Sequence, residues 1–361
     1  MHHLMQQTIS PRPQSVVSSI TQVSDFSDNA NPRTGPYLEG NLKLQGTIET
    51  SCEVLCCKFS NQGEFLAVGL KDGSIKIYDP RTCQCVFSLQ DEDTKLPVTQ
   101  IRFRHFSEDE KPEYAHILIA TYASGHVKFW HFTSGKCLHT INETRQTLCM
   151  ALSPSGSRFM TGGDDNMHIY DEETKTRIST LGPSDARDKM DGHRFRVFSA
   201  QYHPNYPHVF ITGGWDNTVH FWDDRQRHSI RMISDGPHIC GDALDIDATH
   251  NHILAGSWRK NDVLTIYDFA SASKIKDIPI DPMYSSKVYS CQWLGKDNII
   301  CGGSDMNMAC VIDRGTLNTT GHLGDLPKAV YCIDNDQNGN YPLVAIGSAS
   351  TIFLVKMEKK S

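Results

Sequence analysis

Along most of the chain, short apolar runs alternate with polar, glycine-bearing turns, a rhythm of strands rather than helices. The stretch from Gly192 to Asp224, GHRFRVFSAQYHPNYPHVFITGGWDNTVHFWDD, shows the unit. VFSAQYH and VFITGG are β-rich runs, Trp215-Asp216-Asn217 is a tight-turn signal, and TVHFW alternates out to Trp222-Asp223. An apolar or aromatic residue followed by a polar one recurs at the end of each third strand. These pairs are Tyr78-Asp79, Trp130-His131, Tyr170-Asp171, Trp222-Asp223, Tyr267-Asp268 and Ile312-Asp313, with a degenerate Lys356-Met357, at spacings of 52, 40, 52, 45, 45 and 44 residues. Apolar opening strands recur as VLCCKFS, VTQIRFR, TLCMALS, VFSAQYH, ICGDALDI, VYSCQWL and VYCIDND. Glycine-bearing second strands follow, such as TGG, AGS and CGG.

Seven openings predict seven units, and the spacing brackets the period of about 40–45 residues of four-stranded repeats. Gly192-His193 and Trp222-Asp223 resemble the two ends of one repeat of the WD-repeat β-propeller family. The expected fold is therefore all-β, a seven-bladed WD-repeat β-propeller over residues 38–361. The seventh unit stops after its third strand, TIFLVKM, while NLKLQGTI at 41–48 has no unit of its own. Open ends would leave unpaired strand edges, so the N-terminal strand is expected to complete the last blade, as the resemblance also implies. Residues 1–37 hold serine, threonine and proline without a sustained apolar pattern, and are expected to be a disordered tail.

The resemblance also implies a hydrogen-bonded tetrad of His193, Thr212, Asp216 and Trp222 bracing one blade. Histidine, threonine and aspartate together suggest a hydrolase triad, but here the set ends on an indole donor and threonine is a poor nucleophile. Phosphate-cradling glycine loops and a G-x-S-x-G elbow are absent. An enzyme is not expected, and no cofactor is called for. His250 with His252, and His203 with His208, have loose metal-like spacing but fall in predicted turns, so no metal is expected.

Composition narrows the partners. The net charge of −7 gives no general basic footprint, so nucleic acid is not an expected partner. No run approaches the about 18 apolar residues of a membrane span, and no secretory signal is visible, so the cytosol is the default compartment with the nucleus open. The twelve cysteines lack C-x-x-C spacing and mostly fall in strand runs, which predicts core packing rather than zinc or disulfides.

Function in such a ring belongs to its loops, and the expected role is a non-enzymatic scaffold for protein partners. The residues entering the last four blades, Arg196, His238, Lys287 and Lys328, are basic or titratable to a cation. Trp215 lies in the turn of the fourth blade, and Trp258, Arg259 and Lys260 in that of the fifth. Tryptophan among arginine and lysine is the composition of an interface hot spot, here for an acidic or phosphorylated peptide segment. The acidic insertion FSEDEKPEYA at 106–115 and the insertion LGPSDARDKMD at 181–191 are further loop candidates. An alternative arises from Trp222-Asp223-Asp224-Arg225 and Tyr78-Asp79-Pro80-Arg81, which are similar to the W-D-x-R box of cullin ligase substrate receptors. That similarity implies adaptor contacts through Arg225 and Arg81.

Overall fold

The computed structural model describes residues 21–22, 35–105, 112–186, 188–279 and 286–358. Seven antiparallel sheets stand as blades in a ring. Their first strands, Val54–Phe59, Val98–Phe103, Cys149–Leu152, Val197–Tyr202, Leu244–Asp247, Lys287–Leu294 and Val330–Asn335, face the central channel. The second strands lie within the stack and are largely apolar: all five residues of Leu66–Leu70 are buried. A strand packed on both faces has little room for polar side chains, which is why these runs lack alternation, and the threonines they keep, Thr161 and Thr212, are hydrogen-bonded. Each hydrophobic cluster joins neighbouring blades; one, for example, unites Ala67 and Ile77 of the first with Ile101 and Trp130 of the second. Seven of the twelve cysteines are buried, and all twelve are free thiols.

The ring closes through Leu42–Glu49, which pairs antiparallel with Thr351–Met357 and supplies the fourth strand of blade seven. Just before it, Tyr37–Gly40 lies antiparallel to Thr319–Gly324 as an extra outer strand of blade six, and Thr21–Gln22 pairs parallel with it. The expected tail boundary is thus moved: Tyr37 and Leu38 sit within one strand, and Leu38 is buried in the core between blades six and seven. Apart from residues 21–22 and 35–37, the expected tail lies outside the described residues. Most of the acidic insertion does too, save for the short helix Pro112–His116.

Ion pairs link the blades near their lower rim. Lys58 meets Asp334 at 2.6 Å between blades one and seven, Arg158 meets Asp224 at 2.7 Å between three and four, and Arg314 meets Asp247 at 2.5 Å between six and five. The inner strand of blade five begins later than its apolar run suggests, at Leu244. The preceding Asp242 instead reaches across the channel to Arg102 of blade two, at 3.1 Å, and also accepts from Ser199. A cavity of about 230 Å³ lies beside this strut, with Lys58, Arg102, Asp242 and Asp334 among its lining residues, and these four form two ion pairs, Lys58–Asp334 and Arg102–Asp242.

Candidate partner-binding face

Blade four is braced from within. The Trp222 indole donates to Thr212 Oγ1 at 2.7 Å, Thr212 lies 2.7 Å from His193 Nε2, and His193 Nδ1 lies 2.7 Å from Asp216 Oδ2. Because the indole occupies the threonine oxygen, the hydroxyl donates to Nε2, which leaves Nδ1–H for Asp216. Burial alone would raise the Asp216 pKa, but hydrogen bonds from His193, from Thr218 and from the Arg194 N–H hold it down at about 2. His220 packs edge-on against His193 with centroids 4.4 Å apart. Its Nδ1 meets Ser229, and its buried Nε2 has no partner. His193, Asp216 and His220 offer three metal-type ligands in one place. They do not fit an ion, because two ligands on a tetrahedral zinc stand roughly 3.3 Å apart, whereas His193 and Asp216 are at hydrogen-bond distance. Thr212 and His193 are fully buried, which gives a substrate no access.

The brace sets the surface above it. Asp216 Oδ2 also accepts the Arg194 N–H at 3.1 Å, and the Trp215 N–H donates to the Arg196 carbonyl at 3.1 Å. Gly214 makes this approach practicable, since a Cβ there would stand 2.0 Å from the Arg196 oxygen; Gly163 and Gly303 meet the same constraint in blades three and six. This is the physical content of the repeated double glycine. From here a run of contacts crosses the face. Arg196 lies over the Trp215 ring at 5.7 Å, Trp215 stacks on His238 at 6.5 Å, and the Trp258 N–H donates to the His238 carbonyl. Lys287 lies over Trp258 at 4.5 Å, and Trp258 meets Tyr289, which meets Tyr331 at 5.2 Å.

The structure therefore brings Arg196, Trp215, His238, Trp258 and Lys287 into one continuous run, with Arg259 and Lys260 exposed beside it. Their charges are less uniform than the residue types suggest. Lys287 is held by Asp305 at 3.5 Å, and Lys328 by Glu53, which also takes Lys71. Burial, and then the nearby Arg259 charge, push the His238 pKa down, so it is a neutral member. Arg196, Arg259 and Lys260 are the cations here that no carboxylate neutralises among the described residues.

Sequence reasoning missed the aromatic lining. Phe198, Tyr289 and Tyr331 are the extra residues of bulges in their inner strands, which turn them out of the pleat and onto the channel mouth. It also missed Phe195, whose side chain is 60% exposed.

Comparison with known proteins agrees with the architecture. Residues 10–171 match the family described as nucleolar protein 10-like, N-terminal domain, and residues 186–223 match the WD domain, G-beta repeat. The chain is a WD-repeat β-propeller. It is 25% identical over 228 residues to periodic tryptophan protein 2 of Arabidopsis thaliana, covering 59% of this chain and 23% of that protein. WD repeat-containing protein 25 of Mus musculus is 32% identical over 181 residues, 45% of this chain and 30% of the relative. The ribosome biogenesis protein WDR12 homolog of Drosophila mojavensis is 30% identical over 131 residues, 33% and 29% respectively. The matches thus span less than a third of each relative's own length.

Within this WD-repeat propeller a second brace occupies blade three. The Glu143 carboxylate accepts from Thr147 and Thr161 hydroxyls at 2.7 and 2.6 Å, from Tyr170 at 2.7 Å and from Arg145 at 3.3 Å, and meets His168 Nδ1 at 2.8 Å. Burial would raise its pKa, yet the His168 hydrogen bond and the Arg145 charge hold it well below the usual carboxylate range. A spacing signal was available: Glu143 precedes Thr161 by 18 residues, as His193 precedes Thr212 by 19. Glutamate replaces the histidine and tyrosine the tryptophan, so the pattern escapes a search for the usual types.

The candidate adaptor arginines turn back on their own strands. Arg225 grips Asp223 through two hydrogen bonds, at 2.8 and 2.6 Å, and Arg81 meets Asp79 at 3.3 Å. The two boxes belong to blades four and one, which are not neighbours. The ligase-receptor alternative finds no support.

Proposed function

We propose that this propeller is a non-catalytic scaffold that holds protein partners during ribosome assembly in the nucleolus, with the face of blades four to seven as its docking surface. The observation that carries the reading is the contact run from Arg196 to Tyr331, an aromatic and cationic strip laid across four blades on a rigid frame. Aromatic and arginine side chains supply most of the binding energy of protein interfaces. The unneutralised cations Arg196, Arg259 and Lys260 favour an acidic partner segment. The ribosome-assembly setting draws on the WDR12 homolog relative, and the nucleolar one on the nucleolar protein 10-like family; together they favour the nucleus over the cytosol expected from composition.

The test is cell fractionation of an epitope-tagged chain. It is expected to concentrate in nucleoli and to sediment with pre-ribosomal particles. Arg196→Glu combined with Arg259→Glu is expected to fold normally yet leave those particles. A cytosolic chain with no such association would overturn the reading.

A further inference from the structure

We infer that the docking face recognises its partner at two points, an apolar anchor seated against Phe195 and Trp215 and a run of carboxylates seated on Arg259 and Lys260. The occupant is an unfolded acidic protein segment carrying one large apolar side chain. This inference rests on the scaffold reading and names the chemistry of its partner.

The anchor half is built and rigid. Phe195 is 60% exposed and Trp215 42%, values that set them apart from the buried aromatics of the blades. The Trp215 indole N–H is already engaged with Cys240 Sγ at 3.2 Å, and Phe198 backs the ring at 5.1 Å. Trp215 therefore presents ring surface rather than a polar edge. The two exposed rings belong to separate segments, and one carboxylate ties the segments together. Asp216, next to Trp215, accepts from His193 and from the N–H of Arg194, next to Phe195. Arg194 in turn donates to the carbonyls of Ser184, Ala186 and Lys189, so the preceding insertion is fastened down. A pair of apolar surfaces held this way loses little freedom when a partner docks.

The carboxylate half lies one blade on. Arg259 and Lys260 are adjacent and exposed in the turn after the strand His252–Gly256. Arg196, over the Trp215 ring, adds a third cation at the anchor end.

The same observations argue against a nucleic-acid strand. Affinity for a phosphate backbone comes from neutralising many phosphates with free cations. Among the described residues the run offers three, Arg196, Arg259 and Lys260, with Arg194 spent on loop carbonyls, while Asp305 and Glu53 neutralise the neighbouring lysines and Asp262 adds a further exposed carboxylate.

The test uses the full chain and fluorescence anisotropy. The probes are synthetic peptides bearing one Phe, Leu or Trp and a run of Glu on either side of it, at varied spacing. At least one design is expected to bind. Replacing its anchor by Ser, or its Glu by Gln, is expected to weaken it by about tenfold or more, as are Phe195→Ala and Arg259→Glu with Lys260→Glu. The charge reversal should also flatten the salt dependence. Lys296→Glu, on the opposite rim, is expected to change nothing, and circular dichroism checks that each variant folds. The inference is overturned if no peptide binds, if single-stranded RNA binds as tightly through the same residues, or if a phosphoserine peptide outcompetes the glutamate series by about tenfold. Nucleolar co-sedimentation that persists without peptide binding would sink this inference alone and leave the scaffold reading standing.

Discussion

Replacing Glu143 by alanine should destabilise the ring more than any other single truncation of a polar side chain described above. The carboxylate is 1% exposed and serves five donors. Three of these are hydroxyls of Thr147, Thr161 and Tyr170, all buried, with no water to turn to. Arg145 keeps other acceptors, Asp164 and the carbonyls of Asn166 and Thr161, so its charge is not fully stranded. Hydrogen bonds to a charged acceptor contribute about 1.5–3 kcal/mol each, and removing one partner of a buried charged network costs about 3–5 kcal/mol once non-additivity is allowed for. We take about 4 kcal/mol as the expected loss for Glu143→Ala. Glu143→Gln keeps one acceptor oxygen but turns an NH₂ toward donors, and should cost about 2–3 kcal/mol. The assay is equilibrium urea unfolding followed by tryptophan fluorescence, comparing midpoints at matched slopes. A loss below about 1 kcal/mol for the alanine variant would refute the claim that this carboxylate is a hub of blade three.

Three further outcomes follow from the geometry. His220 is buried, and that burial pushes its pKa down to about 3. The unfolded chain therefore takes up the proton first, and stability falls with falling pH between about 6.5 and 3. The contribution lost from pH 6.5 to 5 is about 1.5 kcal/mol. Thermal melts of His220→Gln should lack that share of the pH dependence, and identical profiles would contradict it. Gly214→Ala should force the Arg196 carbonyl away, costing about 1–3 kcal/mol by overpacking and weakening partner binding; unchanged urea midpoint and binding would contradict the close approach. Leu38→Asp should cost about 3 kcal/mol if the strand Tyr37–Gly40 is docked as described, and an unchanged unfolding midpoint would place it off the blade.

The ring itself was legible because its signals repeat. Apolar openings recur seven times, third-strand endings six times with a degenerate seventh, and glycine-bearing second strands in six units, so an error in one unit is corrected by the others. Single occurrences were harder to see. Tyr37–Gly40 lies between Pro36 and Asn41, which read as turn residues, yet Gly40 adopts a φ of +73° that lets the chain step from blade six to blade seven. The blade-three brace uses Glu143 and Tyr170 where the repeat usually has histidine and tryptophan. On the docking face the residue types were visible, but their charge state was not. Lys328 is neutralised by Glu53, 275 positions away, and no local pattern reports that pairing. The exposure of Phe195 and the outward turn of Tyr289 and Tyr331 depend on loop and bulge geometry, which alternation alone does not encode.

The closing strand has a consequence for how the protein is made. Leu42–Glu49 pairs with Thr351–Met357, so its partner leaves the ribosome roughly 300 residues after it does. At ordinary synthesis rates that is a wait of about 15–60 s. During this interval an eight-residue strand with buried-type positions at Leu42 and Ile48 has a free edge, while six blades are already able to form. The nascent chain is an open arc with two adhesive ends, and a neighbouring arc on the same messenger could complete it in trans. Faithful production of this propeller therefore depends on keeping that first strand occupied or apart until the last one arrives.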